Sequence, residues 1–282
     1  MSSETPGGLR RMHTAHSADG TAIAYEAAGH GPALILVDGA LCQRAMGPSR
    51  PLAKLLAEHF TVLTYDRRGR GDSGDTAPYS VDREVEDLAA LIEAAGGSAH
   101  LFGASSGAVL ALEAAARGLA VESLVLYEPP FIVDDSRAPM GAAYTEPLAA
   151  AIAEDRRGDA VKLFMRQVGV PAPILAAMRL MPVWRKLTAV AHTLPYDAAV
   201  MGDTQCGRPL PAERWAGVTA RTLVAVGGKS PAWLQKAGHA LADLLPDAQS
   251  RTLDGQTHMV KAKVVAPVVA DHVSAADRAL VT

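Results

Sequence analysis

Residues 99–117 read AHLFGASSGAVLALEAAAR. A short apolar run leads into Gly103-Ala-Ser105-Ser-Gly107, and an alanine-rich segment of high helix propensity follows. A G-x-S-x-G pattern between a strand and a helix places its serine on a tight turn, where small neighbours tolerate a strained backbone. The helix N-terminus also favours developing negative charge. The stretch predicts Ser105 as a nucleophile at a strand end, with a glycine-rich turn of no chemistry as the alternative.

The same rhythm of short apolar runs and longer helical patterns extends to both sides of this turn. Two opening strands, joined at Asp19-Gly20, are predicted to form a hairpin. The further predicted strands are 33–37, 60–65, 99–102, 123–127, 222–226 and 250–253, and helices are predicted at 52–59, 81–95, 106–117, 232–245 and 266–280. This alternation predicts the α/β class, with a mostly parallel eight-stranded sheet flanked by helices.

No strand is predicted between residues 131 and 216. Helices are predicted there at 145–154, 159–168, 174–179 and around 184–192. We interpret 131–216 as a helical cap inserted into a core formed by 11–130 and 217–282, with residues 1–10 as a disordered tail. The cap is rich in apolar residues, and its candidate lining residues are Phe131, Phe164, Met165, Met181, Trp184 and Trp215. Such a lid predicts a largely apolar pocket over Ser105 that accepts charged acyl substrates poorly.

Composition excludes several classes of protein. The 282 residues are 49% hydrophobic with a formal net charge of -3, which is ordinary for a globular chain and offers no basic surface for a nucleic acid. The two cysteines, Cys42 and Cys206, lie in neither a CxxC nor a His-rich setting, so neither a disulfide framework nor a structural zinc site is expected. The N-terminal residues lack an apolar signal region and no stretch is long enough to span a membrane, so a cytoplasmic location without a membrane partner is expected.

A nucleophilic serine needs a base, and in this architecture the histidine follows it in the chain. Of the nine histidines, the four downstream of Ser105 include three placed in predicted helices or in the cap. The fourth, His258, lies in a loop just past the last predicted strand. That position brings it to the sheet edge that carries Ser105, because the carboxyl ends of parallel strands share one edge. His258 is therefore the predicted base, with a solvated loop histidine as the alternative.

The orienting acid is less obvious. The loop after the strand that follows the cap, Gly227-Gly-Lys-Ser-Pro231, contains no carboxylate. The preceding strand ends at Tyr127-Glu128-Pro129, one strand along from Ser105 and directly before the cap. Glu128 is thus the predicted acid, although it could be an exposed strand end. Asp203 and Asp254 remain alternatives.

An oxyanion hole needs backbone N–H groups from the residue after the nucleophile and from the loop after the first buried strand. The first requirement indicates Ser106. The second indicates Gly39 or Ala40 in Val37-Asp38-Gly39-Ala40, because glycine permits close approach of the backbone to a substrate oxygen.

With these motifs assembled, residues 11–280 resemble the α/β-hydrolase superfamily. The loop 66–74, DRRGRGDSG, and the Gly255-Gln-Thr-His258 segment also look like superfamily features. Most members have His-Gly in the oxyanion loop, where this chain has Asp38-Gly39. Within the superfamily the chain resembles the zearalenone lactonases, which share Asp-Gly, a Ser-Ser-Gly elbow, a Glu before proline as acid, and a Pro-Val-Trp in the cap. The rest of the cap shows no such similarity.

The resemblance implies a serine hydrolase that cleaves a hydrophobic ester or lactone, such as a zearalenone-type macrolactone, through an acyl-enzyme. It also implies a substrate contact from Trp184, although composition alone favours Trp184 as a core residue, and it implies no metal or organic cofactor. Asp38 and Phe131 are further predicted substrate contacts. Serine at 105 argues against the dehalogenases and epoxide hydrolases of this fold, which use aspartate. We expect a small-molecule substrate as partner and leave a homodimer open. A non-hydrolytic binding or scaffolding protein on the same fold is the alternative function.

Overall fold

The computed structural model describes residues 12–280, and the predicted tail, residues 1–10, lies outside this range. Eight strands form one sheet: β1 (Met12–His16), β2 (Ala22–Ala28), β3 (Ala33–Val37), β4 (Thr61–Tyr65), β5 (Ala99–Ala104), β6 (Val121–Tyr127), β7 (Arg221–Gly227) and β8 (Ala248–Leu253). Their order is β1-β2-β4-β3-β5-β6-β7-β8. The pairs β1–β2 and β2–β4 are antiparallel and the other pairs are parallel. The predicted fold class is confirmed.

The helices are α1 (Ser49–Leu56), α2 (Val81–Ala94), α3 (Ser106–Ala116), α4 (Ala142–Ala153), α5 (Arg157–Gln167), α6 (Ala172–Met178), α7 (Val183–Ala189), α8 (Leu194–Met201), α9 (Ala232–Leu244) and α10 (Ala262–Leu280). Helices α2, α3 and α9 cover one face of the sheet, and α1 and α10 cover the other. Helix α3 is buried over nearly its whole length, because its small side chains let it pack closely on β3, β5 and β6. Within residues 12–280, no helix combines the length and the apolar character needed to cross a bilayer.

The cap consists of α4 to α8 with two short 3-10 helices, Ala191–Thr193 and Ala212–Trp215. Its own apolar cluster includes Leu148, Val161 and Leu187. The sequence did not predict α8. This helix carries Pro195 in its first turn, a position that proline tolerates, and its apolar residues follow no clear helical periodicity. Helix α8 packs on α3 and therefore lies directly above the turn that holds Ser105.

Candidate active site

Ser105 stands on the turn between β5 and α3 with a backbone φ of 56°, which is rare for a residue with a side chain. Its N–H donates a hydrogen bond to the carbonyl of Tyr127 at 2.9 Å. The flanking glycines make room for this turn. A Cβ at Gly103 would lie 2.5 Å from Cα of Ala108, and one at Gly107 would lie 2.2 Å from the carbonyl oxygen of Val37. Any side chain at either position would displace the backbone that aims Ser105.

The predicted contact between Glu128 and His258 is present. The Glu128 Oε2 atom lies 2.8 Å from Nδ1 of His258, and the carboxylate is fully buried. Glu128 also has a positive φ, 48°, immediately after β6. A positive φ on a residue with a side chain costs about 1–3 kcal/mol and persists only where the surrounding structure enforces it. The backbone is therefore bent at the point where the carboxylate turns toward His258.

The second oxygen of Glu128 is bound by the last residue of β7. The backbone N–H of Gly227 donates to Glu128 Oε1 at 2.6 Å. The register places β6 beside β7, with Tyr127 opposite Ala225, so the two chain segments meet at the strand ends. A Cβ at Gly227 would lie 2.6 Å from the carbonyl oxygen of Gln256. The β7 loop supplies a backbone donor that holds the acid, and the acid itself comes from β6.

The predicted oxyanion residues surround Ser105. Gly39 is so close that an added Cβ would lie 3.0 Å from Cβ of Ser105 and 2.9 Å from the carbonyl oxygen of Ala104. Ala40 and Ser106 line the same cavity as Ser105. Within the described residues, neither the Ala40 N–H nor the Ser106 N–H donates a hydrogen bond to the protein. Both groups are thus available to a substrate oxygen.

The loop between β4 and α2 holds the oxyanion loop and the cap together through two buried arginines. Arg70 donates from Nη1 to the carbonyl of Gly39 at 2.7 Å and from Nη2 to Oδ2 of Asp197 at 2.7 Å. Arg67 donates from Nη1 to Oδ1 of Asp197 at 2.7 Å and pairs through two nitrogens with Glu84. Each guanidinium therefore connects the core of the protein to helix α8 of the cap.

Asp197 is one residue of this site that the sequence analysis did not identify. Burial by itself would raise the pKa of this carboxyl, but Arg70 and Arg67 outweigh burial and hold its pKa below the usual value. Its Oδ1 also accepts a hydrogen bond from the hydroxyl of Ser106 at 2.7 Å. The signal in the sequence was weak, because Asp197 lies in the unpredicted helix α8, 91 residues after Ser106. The arginine-rich loop at 66–74 was the available clue, since buried arginines require carboxylate partners.

A cavity of about 180 Å³ lies over Ser105 between the core and the cap. Its polar lining is Ser105, Ser106, Arg137, Asp197, Gln205 and His258, and its apolar lining is Ala40, Pro130, Met140, Tyr144, Phe164, Val168, Leu194, Ala198, Met201, Pro231, Trp233 and Leu234. The candidate nucleophile and the candidate base thus share one mostly apolar cavity. Of the six lining residues expected from the cap, Phe164 is present; Met165, Met181 and Trp215 are not among the described lining residues.

The three residues expected to contact substrate do not line this cavity, and those predictions are corrected. Phe131 is fully buried and stacks on Trp215, because the chain turns into the core as it leaves β6. Trp184 lies in a separate surface cleft of the cap beside Arg157 and Arg185. It is half-buried there, packed against the cap's own apolar cluster.

Asp38 is also turned away from the cavity. The hydroxyl of Ser49 donates to its Oδ1 at 2.7 Å, while Oδ2 is buried without a hydrogen-bond partner. A Cβ at Gly47 would lie 2.6 Å from that oxygen. Burial raises the pKa of Asp38 to about 6. The side chain therefore supports the oxyanion loop from behind. In residues 12–280, no group of three or more His, Cys, Asp or Glu side chains is arranged to hold a metal ion.

Comparison with known proteins gives this geometry a context. The model of the alpha/beta hydrolase family matches residues 39–268. An alpha/beta hydrolase from Sphaerobacter thermophilus is 53% identical and superposes with a TM-score of 0.85, over 92% of this chain and 99% of that one. The enol-lactonase from Burkholderia xenovorans shares the fold at 22% identity, with a TM-score of 0.68 over 93% of this chain and 100% of that chain.

Among curated proteins, the N-formylmaleamate deformylase of Pseudomonas putida is 39% identical over 106 residues. That match spans 36% of this chain and 39% of the deformylase, so it covers well under half of either protein. The comparisons do not show the narrower resemblance to zearalenone lactonases. The family model and the Sphaerobacter structure, in contrast, each cover most of the chain, and they show that this protein belongs to the alpha/beta hydrolase family.

Proposed function

We propose that this hydrolase cleaves a small carboxylic ester or lactone by serine catalysis through an acyl-enzyme. The observation that carries the proposal is the arrangement of three residues. Ser105 and His258 line one cavity, and the buried carboxylate of Glu128 holds Nδ1 of His258 at 2.8 Å. A carboxylate on Nδ1 fixes the tautomer in which Nε2 can accept a proton from a serine hydroxyl.

The reaction then follows from the placement of these groups. Ser105 Oγ attacks the substrate carbonyl carbon while His258 Nε2 takes the hydroxyl proton, and Glu128 stabilises the imidazolium that forms. The N–H groups of Ala40 and Ser106 bind the oxyanion. His258 returns the proton to the leaving alcohol oxygen as the carbon–oxygen bond breaks. A water molecule, deprotonated by His258, then attacks the acyl-enzyme. The bond between Ser105 Oγ and the acyl carbon breaks as His258 returns the proton to Oγ, which releases the acid and the free Ser105.

The cavity supports a small substrate with an apolar body. Its volume of about 180 Å³ is below the 300–1,000 Å³ typical of pockets for drug-sized ligands. A macrolactone of the zearalenone type therefore fits less well than a short acyl group. The enol-lactonase supports lactone or ester cleavage, and the deformylase supports a formamide as the competing substrate class.

The first test is labelling by a fluorophosphonate, which reacts with activated serines. We expect one label on Ser105 in the wild type and none in Ser105→Ala. Turnover of methyl esters, small lactones and formamides is then measured in both proteins, and Ser105→Ala should lose about 10⁴-fold or more in kcat. If wild type is neither labelled nor active, a binding or scaffolding protein becomes the better description. A preference for formamides would reassign the substrate class and retain the nucleophile.

A further inference from the structure

We propose that Arg137 binds a carboxylate of the substrate, so that the substrate is a small acyl compound with a carboxylate a few bonds from the carbonyl that Ser105 attacks. This inference rests on the proposed function and names the substrate class of the same site. It replaces the sequence-based expectation that charged acyl substrates are poor.

Arg137 is held in a defined position in the cavity wall. Its guanidinium lies 4.1 Å from the ring centroid of Trp233, at the start of α9. Its Nη2 donates to the carbonyl of Gln167, at the end of α5, at 2.5 Å. Arg137 and Trp233 both line the cavity that contains Ser105 and His258. The arginine therefore bridges the core and the cap, and its position is already fixed when a ligand enters.

No carboxylate of the described residues forms an ion pair with Arg137. The nearby Asp134 is bound to Lys236 at 2.7 Å and to Ser136. Burial lowers the pKa of Arg137, with no raising contribution from an acidic neighbour. A guanidinium has five N–H donors, and here one hydrogen bond to the described part of the chain is formed. Arg137 is half-buried and lines the cavity, so its remaining donors are available to an anionic ligand that enters there.

The acidic residue of the same cavity does not compensate this charge. Both oxygens of Asp197 are occupied, Oδ1 by Arg67 and the Ser106 hydroxyl and Oδ2 by Arg70. With Glu84 also paired to Arg67, that cluster contains two arginines and two carboxylates and is balanced in formal charge. Among the charged side chains that line the cavity, Arg137 is thus the one without a counter-charge in the described part of the chain.

The single guanidinium favours a carboxylate over a phosphate. A planar carboxylate of charge −1 matches two parallel N–H donors of one arginine, whereas a phosphate near pH 7 usually requires more than one cation. The cavity is also small, so a carboxylate on Arg137 and a carbonyl at Ser105 belong to one short molecule. The apolar side chains between them suit the methylene or unsaturated carbons that join the two groups.

The test compares two methyl esters with the same number of acyl carbons, monomethyl glutarate and methyl pentanoate. Their hydrolysis is followed by acid release for wild type, Arg137→Gln, Arg137→Lys and the control Arg208→Gln, whose side chain is 68% exposed. We expect wild type to favour monomethyl glutarate at least 10-fold in kcat/KM. Arg137→Gln should lose about 10- to 100-fold on that ester and less than 3-fold on methyl pentanoate. Arg137→Lys should recover part of the loss, and Arg208→Gln should resemble wild type.

A second measurement does not depend on turnover. Glutarate should raise the Tm of wild type above that in chloride of equal ionic strength, and should not do so for Arg137→Gln. Equal losses on both esters, a wild-type preference for methyl pentanoate, or equal stabilisation of both proteins by glutarate would overturn the role of Arg137. Failure of fluorophosphonate labelling would instead overturn the proposed function. The two failures are therefore separable.

Discussion

Replacing Asp197 by asparagine should lower both the stability and the kcat of the protein, although Asp197 is not one of the three proposed catalytic side chains. The carboxylate is 5% exposed and neutralises Arg67 and Arg70, which are 2% and 1% exposed. Asparagine keeps the shape and one acceptor but leaves two buried guanidinium groups with one carboxylate, Glu84. Breaking a buried pair from one side costs about 3–5 kcal/mol. In a chain of this size each kcal/mol lowers Tm by about 2–4 °C, which gives a fall of roughly 6–20 °C.

Activity should fall as well, because Arg70 also holds the carbonyl of Gly39 and Asp197 accepts the Ser106 hydroxyl. A displacement of about 1 Å at these groups costs on the order of 100-fold in rate. The assay is Tm by circular dichroism, with kcat on a methyl ester measured at least 15 °C below the variant's Tm. The control is Asp155→Asn, also in the cap, whose ion pair with Arg157 is exposed and contributes at most about 1 kcal/mol. Equal Tm values for the two variants would show that Asp197 does not stabilise the protein by neutralising Arg67 and Arg70.

Three further predictions concern Glu128, Gly39 and Asp38. Glu128→Gln should keep the hydrogen bond from Gly227 yet lose about 10³- to 10⁴-fold in kcat, because the imidazolium of His258 loses its counter-charge. An undiminished kcat would remove Glu128 from the mechanism. Gly39→Ala should lower kcat about 10²- to 10³-fold, because the added methyl group would displace the oxyanion loop from Ser105. The control Gly141→Ala, at a position with no neighbouring atom within 4 Å, should leave kcat unchanged. Similar kcat values for the two variants would contradict the oxyanion assignment. The pKa of Asp38 is raised to about 6 in the folded state. Between about pH 4 and 6 the folded protein therefore holds a proton on Asp38 that the unfolded chain has lost. The free energy of unfolding consequently falls as pH rises through this range. Relative to Asp38→Asn, wild type should lose roughly 2 kcal/mol between pH 4 and 7 in urea denaturation, and a difference that does not vary with pH would show that the carboxyl titrates normally.

The strand ends were predictable from the sequence because their signals are local. Gly103, Ser105 and Gly107 specify a turn whose geometry depends on neighbours close in the chain, and the alternation of strands places His258 at the same edge. The sequence indicated Glu128 as the acid because the loop after the seventh predicted strand contains no carboxylate. The structure shows that Gly227, at the end of this strand, instead donates its backbone N–H to Glu128 and has no space for a side chain.

The cap was less predictable because its side chains are positioned by contacts distant in the sequence. Trp184 belongs to a motif that suggested a ligand contact, but α7 turns it toward α5 and the outer surface of the cap. Arg137 lies in no recognisable sequence motif. Its importance depends on Trp233, nearly one hundred residues later, and on the absence of a carboxylate partner among the described residues. Such relations exist in three dimensions and leave no periodic pattern in a single sequence.

Arg70 gives the arginine-rich loop a role that neither its composition nor the catalytic residues suggest. One guanidinium binds the carbonyl of Gly39 in the oxyanion loop and the carboxylate of Asp197 in the cap, so these two parts of the site are linked by a single side chain. Ser106 makes the second link, because it lines the cavity and its hydroxyl donates a hydrogen bond to Asp197. A change in the position of α8 therefore reaches both groups that are proposed to bind the oxyanion. We therefore expect the position of the cap to affect the geometry of the proposed reaction centre as well as the shape of the cavity.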